Sequence, residues 1–125
     1  ATHQLPKEAV LEEAVSALVK ALTQDDHRDV RQVAAEALGS TGAKHQLPEK
    51  AVSPLVKALT QDEDRDVRQV AAKALGRIGF KPQLPEEAVF ALVKALTQDE
   101  HRDLRQVAAK ALDRIGDKHQ LPEEA

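Results

Sequence analysis

Residues 66–79 read DVRQVAAKALGRIG, and the string returns with few changes as DVRQVAAEALGSTG at 29–42 and DLRQVAAKALDRIG at 103–116. In the middle copy Val67, Val70, Ala71, Ala74, Leu75 and Ile78 fall on one face of a helix with 3.6 residues per turn. Just upstream, Ala51, Val52, Leu55, Val56 and Leu59 form a second apolar stripe at i, i+1, i+4, i+5 and i+8. The spacing predicts helix A near 49–59 and helix B near 65–78, separated by the polar stretch Thr60 to Asp64. Alternation with period two appears over no useful length, so strands are not expected.

The whole 37-residue unit recurs at 12–48, 49–85 and 86–122. The second and third copies agree at 29 of 37 positions and the first and second at 28, which makes the repeat the dominant organising feature. A period in this range marks stacked units, each burying its apolar face only against its neighbours. The expected fold is therefore all-α, an α-solenoid of three stacked A/B hairpins in a single domain over residues 1–125. Residues 1–11 form an N-terminal extension that lengthens the first helix through Val10 and Leu11, and residues 120–125 start a further, truncated repeat.

Boundary residues agree with this division. Gly42, Gly79 and Gly116 stand where a C′ glycine in the left-handed conformation would end helix B. Pro48, Pro85 and Pro122 suit the first position of helix A, where a missing N–H is harmless. Leu47 and Leu84 read as packing residues that pin the linker to the core.

These residues resemble the HEAT-like repeat, in the short form found in phycobiliprotein lyase subunits and bacterial scaffold proteins. The likeness rests on AVSPLVKAL (51–59), on the helix-B strings above and on their copies. Pro54 occupies the place of a frequent helix-A proline, replaced by Ala17 and Ala91 in the other copies. The linker at 44–48 is longer than the shortest pattern. The resemblance implies a concave side lined by helix B, and an Asp/Arg ladder between repeats through Asp29, Arg31, Asp66, Arg68, Asp103 and Arg105.

Composition excludes several kinds of chemistry. There is no cysteine, so disulfides, thiolate nucleophiles and zinc-thiolate sites are absent. Lys and Arg total 18 against 21 Asp and Glu, and the net charge of −3 gives no global pull toward nucleic acid or anionic membrane. No membrane-length apolar run exists and Ala1 to Lys7 lack the character of a signal peptide, so a soluble, cytoplasmic protein is expected. His27 and His101 are equivalent residues two repeats apart, as are His45 and His119. At roughly 10 Å per stacked helix pair, neither pair shares a metal. The carboxylates of the A–B turns, among them Asp25, Asp62, Asp64 and Asp99, read as helix caps rather than as a buried catalytic pair. Gly39 to Gly42 and Gly76 to Gly79 lie at helix ends, where exposed carbonyls repel phosphate. No catalytic residue, cofactor or metal site is expected.

A partner surface is expected instead, on the helix-B positions off the apolar stripe: Arg65, Gln69, Lys73 and Arg77, with Arg102, Gln106, Lys110 and Arg114 in the next row. Residues 28–42 balance in charge, whereas 65–79 carry a net +3 and 102–116 a net +2, so the face favours a protein or peptide, particularly an acidic one. Two alternatives stand beside this scaffold reading. One is a bilin lyase-type enzyme or its subunit, implied by resemblance alone. The other is DNA-backbone binding through the basic helix-B face, which the acidic turns and the shortage of aromatics oppose. Phe80 and Phe90 break the repeat at one junction and are expected to pack on each other, with a partner anchor as the alternative. The last helix B keeps the interior pattern, so self-association or domain swapping through an uncapped C-terminal face is also expected.

Overall fold

The computed structural model describes residues 7–79 and 84–118. Phe80, His119, Pro122, the segment 120–125 and residues 1–6 of the N-terminal extension lie outside them, as do the expectations that rest on those residues. Among the described residues the secondary structure is entirely helical: α1 (Lys7–Gln24), α2 (Arg28–Lys44), α3 (Glu49–Gln61), α4 (Arg65–Ile78), α5 (Glu86–Gln98) and α6 (Arg102–Lys118). Consecutive helices pair as hairpins α1–α2, α3–α4 and α5–α6, and the hairpins stack side by side into an α-solenoid. One apolar cluster runs through all three, from Val15 and Leu38 through Leu55 and Leu75 to Leu92 and Ile115.

Each turn from an A helix to a B helix is built the same way. The hydroxyls of Thr23, Thr60 and Thr97 donate to the carbonyls of Val19, Val56 and Val93 in the closing turn of the A helix. Asp25, Asp62 and Asp99 then accept, through Oδ1, the backbone N–H two residues on, at 2.8, 2.9 and 2.8 Å. Such Asx turns reverse the chain without a glycine. Of the turn carboxylates only Asp64 is itself the N-cap, accepting from the Asp66 and Val67 amides; His27, at the equivalent place before α2, makes no side-chain cap.

Two boundary expectations are corrected. Pro48 and Pro85 are N-cap residues with extended backbone, one position ahead of the first helical turn. Proline's fixed φ is compatible with that cap position, and the first intrahelical bonds, Ala51 N–H to Pro48 O and Ala88 N–H to Pro85 O, form normally. Leu47 is buried, pinning the linker as expected, and Leu84 packs partly buried against the same cluster.

The glycines end no helix in a left-handed conformation: none of the described residues has positive φ, Gly42 and Gly116 lie inside α2 and α6, and Gly79 is a right-handed C-cap. Space, rather than φ, requires them. A Cβ on Gly39 would stand 2.8 Å from Ala74 Cβ, and one on Gly76 would stand 2.7 Å from Ala111 Cβ. Cβ atoms on Gly42 and Gly79 would strike Ile78 and Ile115. The two G-x-x-G strings are therefore the pads on which the next B helix lies, backbone against side chain. As a result α2, α4 and α6 form a close-packed row, while α1, α3 and α5 touch one another far less.

Candidate functional site

The side chains off the apolar stripe of the B helices form the candidate surface. Arg65 and Lys73 on α4, with Arg102, Gln106, Lys110 and Arg114 on α6, are exposed, whereas Gln69 and Arg77 are half-buried. Helical spacing places Arg65, Gln69, Lys73 and Arg77 along one strip of α4, and the 37-residue offset repeats the strip on α6.

Two cations of the row are already engaged across hairpin boundaries. Arg28 Nη1 lies 3.2 Å from Asp64 Oδ2, and Arg77 Nη1 donates to Ser40 Oγ at 3.2 Å. Partial burial pushes the Asp64 carboxyl upward, but hydrogen bonds from the Val67 amide, the Arg28 guanidinium and the Asp66 amide outweigh it and hold the group below its ordinary value of 3.8. Among the described residues Arg65, Lys73, Arg102 and Lys110 enter no ion pair. Among the described residues these four cations of α4 and α6 therefore face solvent without an ion-pair partner.

The aspartates expected in the inter-repeat ladder are not those that fill it. Arg31 forks onto Asp62 of the second hairpin, Nε to Oδ2 at 2.9 Å and Nη2 to Oδ1 at 3.2 Å, with both side chains about nine-tenths buried. That hydrogen bond holds the Arg31 guanidinium above its ordinary value. Asp66 occupies the first turn of α4 and is exposed, as Asp29 and Asp103 are on α2 and α6. It is the turn aspartate, not the helix aspartate, that reaches the preceding hairpin.

The three arginines share another task, which sequence reasoning missed. Arg31 Nη1 donates to the carbonyls of Asp25 and Asp26, Arg68 Nη1 to Asp62 O and Arg105 Nη1 to Asp99 O, so each clasps its own A–B turn. The arginine six residues after each turn aspartate was the available signal. The second rung of the ladder is open. Arg68 and Asp99 instead line a cleft of about 300 Å³ between the second and third hairpins, with Lys94 and Gln98 at its edge.

Phe90 does not join a local core. Its ring is 67 % exposed on α5, where the other copies carry Ser16 and Ser53, and it lies one helical turn from the exposed Val93. Among the described residues no group of three or more His, Asp or Glu side chains is placed to hold a metal ion, and no helix is long and apolar enough to cross a membrane.

A family model described as HEAT repeats matches residues 6–76 and again residues 52–123. No curated protein matches the chain.

Proposed function

Because the chain belongs to the HEAT-repeat family, we propose that it is a non-enzymatic interaction scaffold that holds an acidic protein segment on its row of B helices. The close packing of α2, α4 and α6 against the looser row of A helices bends a stack toward the B side, which favours a concave helix-B face. The observation that carries the reading is the set of exposed cations without ion pairs, Arg65, Lys73, Arg102 and Lys110, on two neighbouring B helices. An extended acidic segment lying across α4 and α6 meets both strips at once, and electrostatic complementarity of this kind contributes register and association rate more than raw affinity.

Fluorescence anisotropy with a labelled Asp/Glu-rich peptide tests the proposal. Binding is expected at low salt, weakened about tenfold or more by Lys73→Glu/Lys110→Glu, because like charges facing each other cost several kcal/mol at an interface. Equal binding by wild type and the charge-reversed variant removes the basic row as the site. Duplex DNA is the second probe: a phosphate-backbone binder loses affinity steeply with salt, whereas the scaffold reading expects the peptide to be preferred at every salt concentration.

A further inference from the structure

The cleft between the second and third hairpins lies inside the stack and shares no residue with the helix-B row. At the interface before it the corresponding arginine is satisfied, because Arg31 spends Nε and Nη2 on the carboxylate of Asp62. Arg68 is anchored as Arg31 is, its Nη1 donating to Asp62 O at 2.8 Å. Among the described residues, however, its Nε and Nη2 donate to nothing, and Asp99 enters no ion pair. One change between the copies widens this wall: Ala91 lines the cleft at the position where α3 carries the bulkier Pro54.

The chemistry of an occupant follows from what the cleft offers. A guanidinium presents two N–H groups along one edge, a geometry that matches the two oxygens of a carboxylate. Arg68 is half-buried and already held by a turn carbonyl, so little freedom is lost when that edge is used. Leu59 and Ala91 are buried and Ala95 partly buried, which makes the wall beside the arginine apolar. Of the charged groups that line the cleft, Asp62 is already paired with Arg31; Arg68 and Lys94 stand against Asp99, which leaves one positive charge in excess. A singly charged anion balances that excess, whereas a dianion meets Asp99 with twice the repulsion. A volume of about 300 Å³ suits a small molecule or a single terminal residue.

We propose that this cleft binds a small aliphatic carboxylate, its oxygens on Nε and Nη2 of Arg68 and its carbon chain against Leu59, Ala91 and Ala95. Lys94 adds attraction at the edge, and Asp99 selects against doubly charged anions. The same chemical group is presented by a free short-chain acid and by the last residue of a peptide with an aliphatic C-terminus. The site is independent of the acidic segment assigned to the helix-B row, so either can fail without the other.

The test uses the full chain labelled with nitrogen-15, with the arginine Nε–H signals followed directly by NMR. The probes are isovalerate, a short peptide ending in a free leucine carboxylate, isovaleramide as the uncharged analogue, and inorganic phosphate. At about 10 mM, a concentration that reveals millimolar affinity, the carboxylate probes are expected to shift Arg68 Nε–H and leave Arg31 Nε–H in place. The tighter of the two identifies the source as a free acid or a chain terminus. Arg68→Lys keeps the charge but loses the fork, and is expected to weaken binding about tenfold. Ala91→Pro fills the cleft without touching the arginine, at a position where α3 already accommodates proline, and is expected to weaken binding as well. Asp99→Asn retains an oxygen for the His101 amide but removes the negative charge, and is expected to bind about threefold more tightly, a gain that no misfolded variant shows. Lys73→Glu/Lys110→Glu is expected to bind as wild type does, which separates this site from the helix-B row. No shift with either carboxylate, an equal shift with isovaleramide, or tighter binding of phosphate overturns the proposal. So does wild-type affinity in Ala91→Pro, or loss of binding in Asp99→Asn.

Discussion

Arg31 lies with two nitrogens on Asp62 and a third on the carbonyls of Asp25 and Asp26, so one guanidinium joins the turn of its own hairpin to the turn of the next. The planar fork suits this task because its donors are fixed in one plane, and a lysine in the same place supplies neither the geometry nor the number of bonds. The pair is nearly buried, so both partners are needed: removing one leaves the other charge without water or a counter-charge.

A double-mutant cycle on this pair measures the coupling. Arg31→Ala and Asp62→Ala are each expected to cost about 1.5–3 kcal/mol, the range for hydrogen bonds to charged groups. The coupling energy is expected to reach about 1–2 kcal/mol, within the range for residues in direct contact. Arg68→Ala, which loses a turn clasp but no ion pair, is expected to cost less than Arg31→Ala. Urea denaturation of the four variants decides it, and strict additivity would show that the fork contributes nothing of its own.

Replacing Gly76 by alanine sets two effects against each other. Alanine is better than glycine in a helix by about 1 kcal/mol, but its Cβ would stand 2.7 Å from Ala111 Cβ and 2.8 Å from its Cα. Neither neighbouring atom sits at the end of a flexible side chain, so α4 and α6 must move apart, and overpacking of this kind costs about 1–3 kcal/mol. Gly76→Ala is therefore expected to lower the melting temperature. A rise would mean that the B helices are not held together at this point.

Those glycines show where sequence alone is informative and where it is not. Periodic apolar letters were enough for all six helices and the stacking order, since a 3.6-residue stripe repeated every 37 residues leaves few other ways to bury it. The role of Gly42 and Gly79 was not legible, because a glycine near a helix end has the same letter whether it supplies a left-handed cap or makes room for a neighbour. Only the facing Ile78 and Ile115 distinguish the two. The ladder went astray for a related reason: Asp62 and Asp66 are four residues apart, and which of them meets Arg31 depends on the path of the turn. Exposure of Arg65, Lys73, Arg102, Gln106, Lys110 and Arg114 was readable from the stripe, whereas the half-burial of Gln69 and Arg77 and the diversion of Arg28 to Asp64 and Arg77 to Ser40 needed coordinates.

Acid should weaken the second hairpin through Asp64. Its pKa is lower folded than unfolded, so its contribution is present at pH above the ordinary value of 3.8 and is lost as the pH falls through the lower folded value. At neutral pH, Asp64→Ala is expected to cost about 1 kcal/mol as a lost N-cap; the exposed Arg28 partner adds little. Below the folded pKa the difference between the two proteins should shrink, since both then lack the carboxylate. Thermal melts at a series of pH values from neutral downward through 3.8 check the sign, and a gap that widens in acid would contradict it.

Phe90 and Leu92 stand two residues apart on α5 and should behave oppositely. Leu92 is 0 % exposed, and Leu92→Ala is expected to cost about 2–5 kcal/mol by removing apolar contact and leaving a cavity. Phe90, two-thirds exposed, replaces the serine that both other copies carry, so Phe90→Ser is expected to change stability by no more than about 0.5 kcal/mol. If the larger side chain nevertheless proves the costlier loss in urea denaturation, its ring must be covered in solution. The local-core reading of that junction would then have to be restored.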